Sequence, residues 1–168
     1  MKIKIEDLRK KAPKLKAGDK LYLTGNIYTA RDAAHKRFVS DGKTPFDITD
    51  AVIYYAGPTP AKIGMACGSC GPTTSARMNP YALDLLEKGL CAIIGKGEMS
   101  DEVKNACVEN KALYLCATGG AGALYAKCID SVEVIAYDDL GCESVKKMHI
   151  TDFPVIVAFD TMGDSVFV

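Results

Sequence analysis

Short apolar runs that alternate with helix-forming segments limit this chain to a small set of folds. Such near-continuous apolar strands are typical of a sheet that is covered on both faces. Between them lie helix signals, among them the capping type Ser100 and the helix-ending Gly89. The pattern predicts an α/β protein, and 168 residues fit a single compact domain over 1–168. The runs are residues 20–23, 27–28, 51–56, 91–94, 113–117, 132–137 and 155–159.

The charge balance excludes two classes of function. Lys plus Arg is 21 and Asp plus Glu is 21, which gives a net charge of zero. Nucleic acids and anionic membranes attract an excess of positive charge, so neither is an expected partner. The longest uncharged stretch, residues 112–126, is shorter than the roughly 20 apolar residues that cross a bilayer. With no signal-peptide core and seven cysteines, the chain is expected to be cytoplasmic, with free thiols.

The first candidate site follows the strand at 27–28. Thr29 is predicted to cap a helix that ends near Gly42, which places Arg31 in the first turn and His35 one turn later. A helix start attracts anions, and a guanidinium binds a carboxylate through two hydrogen bonds. A capped surface helix is the alternative, although a cation is unfavourable in a first turn.

The second candidate site is the segment 65–78. Residues 71–75 are expected to open a short helix, with Arg77 one turn beyond Thr73 on the same face. Cys67 and Cys70 have a C-x-x-C spacing, which suggests half a zinc site or a redox pair. A closed zinc site needs four ligands, and no second pair accompanies this one.

The third candidate is Lys96, between Gly95 and Gly97 at the end of an apolar strand. Ligands of open α/β sheets bind at the carboxyl ends of strands, although a solvated turn lysine is an equally simple explanation. Three cations, Arg31, Arg77 and Lys96, together with the Thr73 hydroxyl suit a small dicarboxylate. The set lacks a metal cage and a nucleophile–base pair, so it is typical of half an active site.

These same residues carry a resemblance to a known family. The runs GNIYTARDAAHKR at 25–37 and IIGKG at 93–97, with residues 55–77, resemble the β subunit of class I fumarate hydratase and that of L(+)-tartrate dehydratase. In one-chain members the region forms the C-terminal domain. The resemblance implies the swivelling β/β/α domain and a hydro-lyase that interconverts fumarate and L-malate.

The resemblance also implies a division of labour between two subunits. Three cysteines of an α subunit hold a [4Fe–4S] cluster, whose open iron assists departure of the substrate hydroxyl. This chain then holds no metal and works in a heteromer, of α2β2 type, that binds a small dicarboxylate. By the same match, Arg31, Arg77 and Lys96 hold the substrate carboxylates, and Thr73, beside Lys96, moves the carbon-bound proton.

Several alternatives remain at this point. A threonine hydroxyl is a weak base unless nearby cations stabilise its alkoxide, so His35 and Asp32 are the other candidates for the base. The substrate can be tartrate in place of fumarate. From another class, the chain can be a dicarboxylate-binding scaffold without activity, or a redox or zinc protein built on Cys67 and Cys70.

Overall fold

The computed structural model describes residues 1–167, which form one α/β unit of seven strands and five helices. The strands are β1 (Lys2–Lys4), β2 (Lys20–Thr29), β3 (Val52–Tyr54), β4 (Ala92–Gly95), β5 (Leu113–Cys116), β6 (Ile129–Ala136) and β7 (Val145–Phe159). The helices are α1 (Ile5–Lys11), α2 (Asp32–Asp41), α3 (Asn79–Glu87), α4 (Asp101–Glu109) and α5 (Gly122–Ala126). Three short 3₁₀ helices, Ala12–Lys14, Ser75–Met78 and Asp138–Glu143, complete the list.

The sheet is mixed and closes on itself. Strands β1 to β5 lie side by side in chain order and are parallel. The long strand β7 runs antiparallel to β5 and also to β2, which closes β2, β3, β4, β5 and β7 into a five-stranded barrel. Strand β6 pairs with β7 in an antiparallel arrangement. Closure pairs the backbone groups that an open sheet would leave at its edges.

Both faces of the central strands are buried. In β3, Val52 and Tyr54 pack with the residues inside the barrel, whereas Ile53 packs against the helical layer. Alternate side chains of a strand point to opposite faces, so a continuous apolar run supplies two cores at once. The outer core includes Phe38 of α2 and Leu86 of α3, both buried. The predicted α/β class and the two-sided burial of the 51–56 run are confirmed.

The carboxyl ends of the parallel strands define one edge of the barrel. Arg31 follows β2, Lys96 follows β4, and Thr73 donates its backbone N–H to the carbonyl of Tyr55, directly after β3, at 2.7 Å. Because β2, β3 and β4 are adjacent, the three candidate segments meet at this edge. The start of β7 lies there too, since Lys146 pairs with Thr29.

Some local predictions are wrong. Thr29 does not cap α2: it is the last residue of β2, and its hydroxyl bonds across the sheet, so Arg31 occupies the N-cap position in an extended conformation. Thr73 lies before the helix, because the 3₁₀ turn begins at Ser75. The Asn79-Pro80 pair also predicts a helix start, yet Asn79 lies within α3 and does not cap it.

Two other results concern the remaining segments. Ser100 caps α4 as predicted, its Oγ accepting from the N–H of Val103 at 3.4 Å. The charged opening of the chain forms β1 and α1, which the apolar pattern does not predict. Within residues 1–167, no helix combines the length and apolar character needed to span a membrane.

Candidate functional site

Arg31 lies at the barrel edge, with Glu143 and Gly57 as neighbours. Its Nε lies 3.7 Å from a carboxylate oxygen of Glu143, and both side chains are about one-quarter to one-third exposed, at 26% and 30%. Below it, a Cβ at Gly57 would lie 3.2 Å from Arg31 Nη1 and 3.0 Å from the carbonyl oxygen of Cys142. The absence of a side chain at Gly57 therefore gives the guanidinium its room. The Arg31 Nε is buried without a hydrogen-bond partner among the described residues, so the guanidinium has donor capacity left for a carboxylate.

The turn that carries Glu143 is held by a buried lysine. Lys146 Nζ donates to the carbonyl oxygens of Gly141 at 3.3 Å, Cys142 at 3.0 Å and Ser144 at 3.2 Å, and to Ser144 Oγ at 2.7 Å. Thr29 Oγ1 accepts from the backbone N–H of Lys146 at 3.2 Å and donates to the Ser144 carbonyl at 3.4 Å. Burial lowers the pKa of Lys146, which is bound by neutral acceptors.

Arg77 connects a hydroxyl to a carboxylate. Its Nη2 donates to Thr73 Oγ1 at 2.6 Å, and its Nε lies 3.6 Å from Asp32 Oδ2 at the start of α2. The Arg77 side chain is 48% exposed, so part of the guanidinium faces solvent. A guanidinium that donates to a hydroxyl oxygen stabilises negative charge on that oxygen. Asp32, next to Arg31 in sequence, links the two arginines.

Lys96 is fixed beside this pair by the backbone. Thr74 and Lys96 form an isolated parallel bridge, in which Ser75 N–H donates to the Lys96 carbonyl at 3.0 Å. Lys96 N–H in turn donates to Ser75 Oγ at 3.1 Å. Tyr114 donates its hydroxyl to the same Ser75 Oγ at 2.9 Å.

This close approach depends on glycine at position 95. A Cβ at Gly95 would lie 1.9 Å from Ser75 Oγ, a distance that no packed pair of atoms tolerates. On the other side of Lys96, a Cβ at Gly119 would lie 3.7 Å from Nζ. The Lys96 backbone is therefore paired with the Thr73 segment, and its ammonium lies near the turn that follows β5.

His35 does not share the open edge with these residues. It is fully buried, and its Nδ1 lies 2.8 Å from the Arg31 carbonyl oxygen, so Nδ1–H donates there. Burial lowers its pKa from 6.5 to about 4. The imidazole ring packs against the rings of Phe38, Tyr55 and Tyr81. A neutral, enclosed imidazole positions the Arg31 backbone and is poorly placed to exchange a proton with a substrate.

A cleft of about 710 Å³ lies behind His35, between α2 and α3. Its walls are mainly aromatic and aliphatic, with Phe38, Phe46 and Tyr81 among them. Arg31, Arg77 and Lys96 do not line it. The cleft and the cation-bearing edge are therefore separate features.

Cys67 and Cys70 belong to the core under this edge. Both are buried, with free thiols, and Tyr54 donates its hydroxyl to the Cys70 carbonyl at 2.7 Å. The Cys70 S–H donates to Cys67, which lowers the pKa of Cys67 and raises that of Cys70. Within residues 1–167, no three His, Cys, Asp or Glu side chains come together in a way that could hold a metal ion.

The structure thus places Thr73 and the three cations at one edge of the barrel, whereas His35 and the Cys67–Cys70 pair are buried. Thr73 and Arg77 are in direct contact, Asp32 joins them, and Lys96 is adjacent through Thr74. Sequence reasoning missed Glu143, which contacts Arg31 from more than a hundred residues away, and Lys146, which holds the turn that carries Glu143. The two lysines at the start of a long apolar strand were the available signal, but they do not specify a neighbour.

Comparison with known proteins shows which family the chain resembles. The family described as Fumarase C-terminus matches residues 1–168. A protein of Methanocaldococcus jannaschii with the provisional name L(+)-tartrate dehydratase subunit beta is 40% identical over an alignment of 169 residues that covers 95% of this chain and 87% of that protein.

Two one-chain relatives are longer. The anaerobic class I fumarate hydratase of Escherichia coli K12 is 39% identical over 155 residues, 88% of this chain and 28% of that enzyme. Fumarate hydratase 2 of Leishmania major is 34% identical over an alignment of 174 residues that covers 99% of this chain and 30% of that enzyme. The chain thus spans less than a third of these two relatives and most of the first. From the match along its whole length and these identities, the chain belongs to the fumarase C-terminal family, whose named members here are hydro-lyases.

Proposed function

We propose that this chain is the β subunit of an iron–sulfur hydro-lyase that hydrates fumarate reversibly to L-malate in the cytoplasm, in an α2β2 heteromer. The observation that carries the proposal is the contact of Arg77 with both Thr73 Oγ1 and Asp32, beside Lys96 and Arg31, at one edge of the barrel. The family match along residues 1–168 supports the same assignment, and with it the swivelling β/β/α domain.

The two carboxylates of the substrate are bound by the cations. Arg31 and Arg77 each offer a planar pair of donors, which suits bidentate contact with a carboxylate. Lys96 adds a point charge near Gly119. Donors of the two guanidiniums and of the ammonium favour the extra negative charge that develops when a proton leaves carbon.

Thr73 is the proposed base. In the dehydration direction, deprotonated Oγ1 takes the proton from the carbon next to a carboxylate, and in hydration the hydroxyl returns it. Arg77 Nη2, at 2.6 Å, stabilises the negative charge that Oγ1 carries between these steps. Asp32 serves as the partner of Arg77, and His35 positions the Arg31 backbone.

The [4Fe–4S] cluster is assigned to the partner. Three thiolates are needed to hold such a cluster with one open iron, and the cysteines described in this chain are dispersed, with Cys67 and Cys70 buried as a pair. These residues do not fit the cluster, so each step proposed for this chain concerns its own side chains.

A second substrate has one observation in its favour. The relative that matches this chain over most of both lengths is named for L(+)-tartrate dehydration. Tartrate carries the same two carboxylates with one more hydroxyl. The three cations Arg31, Arg77 and Lys96, which we call the carboxylate clamp, suit it equally. The proposal is therefore tested on both substrates.

The first experiment is anaerobic co-purification of this chain with its α subunit, followed by assays with fumarate, L-malate and L(+)-tartrate. We expect a complex that contains iron and sulfide and turns over one of these substrates. A complex that binds dicarboxylate without turnover would favour the scaffold alternative. Stoichiometric zinc on the isolated chain would favour the zinc alternative.

Variants of that complex test the clamp. Arg31→Ala and Arg77→Ala are each expected to lower kcat/KM by about 100-fold or more, because each removes a bidentate charge partner. Arg37→Ala, on the outer side of α2, is the matched control and is expected to leave kcat/KM within about twofold. Full activity in both clamp variants would contradict the proposal.

The base is tested separately. Thr73→Val removes the hydroxyl at nearly constant volume and is expected to lower kcat by about 100-fold with little change in KM, since the lost interaction belongs to proton transfer. Thr73→Ser should restore a substantial part of kcat. A Thr73→Val enzyme within a few-fold of the wild type would exclude Thr73 as the base.

A further inference from the structure

An ordered loop beside the site presents an isoleucine to solvent. Residues 57–72 connect β3 to the Thr73 segment, and Ile63 at the tip is fully exposed, with a relative accessibility of 106%. Met65, two residues on, is 40% exposed. Between them, Gly64 has φ +81°, and Met65 N–H donates to the Lys62 carbonyl at 3.0 Å. This four-residue turn places Ile63 at its outer corner.

The base of the loop is firmly held. Thr59 N–H donates to the Ser69 carbonyl and Gly68 N–H to the Thr59 carbonyl, both at 2.9 Å. A Cβ at Gly68 would lie 2.1 Å from Thr59 Oγ1, so the two limbs of the loop are in direct contact. Cys67 is buried under this base. The exposed tip is therefore presented in a fixed position, which lowers the entropy lost when it binds a partner.

A third exposed apolar residue is on the adjoining segment. Leu124 of α5 is 63% exposed. The two segments touch, because Cys70 N–H donates to the Gly122 carbonyl at 3.1 Å and a Cβ at Gly122 would lie 2.2 Å from Ser69 Oγ. Both segments follow carboxyl ends of strands, as Arg31 and Lys96 do. Single exposed apolar residues are common on any protein, but here Ile63, Met65 and Leu124 share the edge that bears the site.

The occupant of this surface follows from the size of the relatives. In the one-chain relatives, the part that matches this chain is 28% or 30% of the protein, so most of each enzyme lies outside it. A half-built site at one edge needs the missing part to cover that same edge. We infer that residues 60–66 and Leu124 dock on an apolar surface of the cluster-bearing α subunit, an inference that rests on the proposed function. The only charge within residues 60–66 is that of Lys62, which fits a carboxylate or carbonyl at the rim of the partner surface.

The test measures assembly and activity separately. Purified α subunit is titrated anaerobically into this chain, and Kd is determined by calorimetry for the wild type, Ile63→Ser and Leu124→Ser. Each variant is expected to raise Kd at least tenfold, because burying such a side chain is among the larger contributions to an interface. At saturating α subunit, kcat should stay within twofold of the wild type, since neither residue touches the substrate.

Matched controls use apolar residues that are equally exposed elsewhere. Val39 on α2 is 67% exposed and Met162 is 76% exposed, and replacement of either by Ser is expected to change Kd less than twofold. A photo-crosslinking residue at position 63 should attach to the α subunit, whereas the same residue at position 39 should not.

The outcomes separate the inference from the proposed function. An active wild-type complex whose Kd is unchanged by both Ile63→Ser and Leu124→Ser would overturn the docking surface and leave the function in place. A wild-type chain that neither binds the α subunit nor gains activity with it would overturn both.

Discussion

The two arginines of the site are supported in different ways. Glu143, the partner of Arg31, lies on a turn that the buried Lys146 ammonium holds through three carbonyls and a hydroxyl. On the Arg77 side, the backbone pairing of Thr74 with Lys96 gives the support, with Ser75 packed against Gly95. The first support depends on one polar side chain, and the second depends on the absence of a side chain.

This difference determines what breaks each half of the site. Removing polar groups loosens the Arg31 side, because partly buried carbonyls lose their donor. The Arg77 side survives such changes better, since backbone hydrogen bonds remain, but it cannot accept added volume at Gly95. The four predictions that follow compare these effects, from the largest to the smallest.

Gly95→Ala is expected to have the largest effect. The added Cβ would lie 1.9 Å from Ser75 Oγ, so either β4 or the Thr74–Met78 segment must move. We expect a loss of about 4 kcal/mol in the free energy of unfolding, at the upper end for overpacking. The measurement is urea denaturation followed by circular dichroism. Gly71→Ala is the control, because its Cβ would meet Gly122 Cα at an ordinary 3.4 Å. Equal stability of the two variants would contradict the close packing of Ser75 on β4.

Lys146→Met is expected to lower the free energy of unfolding slightly less than Gly95→Ala does. The variant keeps the length of the side chain but leaves the carbonyls of Gly141, Cys142 and Ser144 without their shared donor. Loss of the donor to these partly buried acceptors predicts about 3 kcal/mol, partly offset because the buried charge is removed as well. Lys147→Met, one residue along β7, is the control and should be close to neutral by the same denaturation. If both methionine variants have wild-type stability, Lys146 does not hold the turn.

The third prediction concerns pH and the backbone of Arg31. The pKa of His35 is about 4 in the folded protein and 6.5 when exposed. Above pH 6.5 the imidazole is neutral in both states and gives no pH dependence. Below 6.5 the unfolded chain takes up a proton that the folded one does not, so stability falls until the pH reaches about 4. The fall should be about 2 kcal/mol at pH 5 relative to pH 7.5.

Urea denaturation between pH 7.5 and 5 measures this fall. His35→Gln, which stays neutral throughout, should remove the slope that histidine causes. His149→Gln is the control: His149 is 43% exposed, beside Asp130, and its replacement should leave the slope in place. Identical slopes in the wild type and His35→Gln would show that His35 is not the group that titrates.

The contrast between the two sides also explains what the sequence could predict. Thr73 and Arg77 are four residues apart, so their contact follows from local spacing, and Lys96 follows from a strand end between glycines. Glu143, on the turn that Lys146 holds, reaches Arg31 only because β7 returns antiparallel beside β2, a long-range pairing that local patterns do not encode. Thr29 was mistaken for a cap for the same reason, since its hydroxyl is used by Ser144 and Lys146 across the sheet. The seven-residue α1 has five charged residues and only Leu8 buried, which leaves little apolar periodicity to detect.

The smallest effect on stability is expected at Asp139, a second contact of the turn that Lys146 holds. Arg37 of α2 donates to both carboxylate oxygens of Asp139, which lies on the same 138–143 turn but on the exposed side. The Arg37 guanidinium lowers the pKa of Asp139. Exposed ion pairs contribute little, because water and salt screen them. Asp139→Asn should therefore change the urea midpoint by no more than the scatter of the measurement, and less still at 1 M salt. A loss comparable to that of Lys146→Met would mean that the outer ion pair holds the turn, and the buried lysine would then lose its place as the support of the Arg31 side.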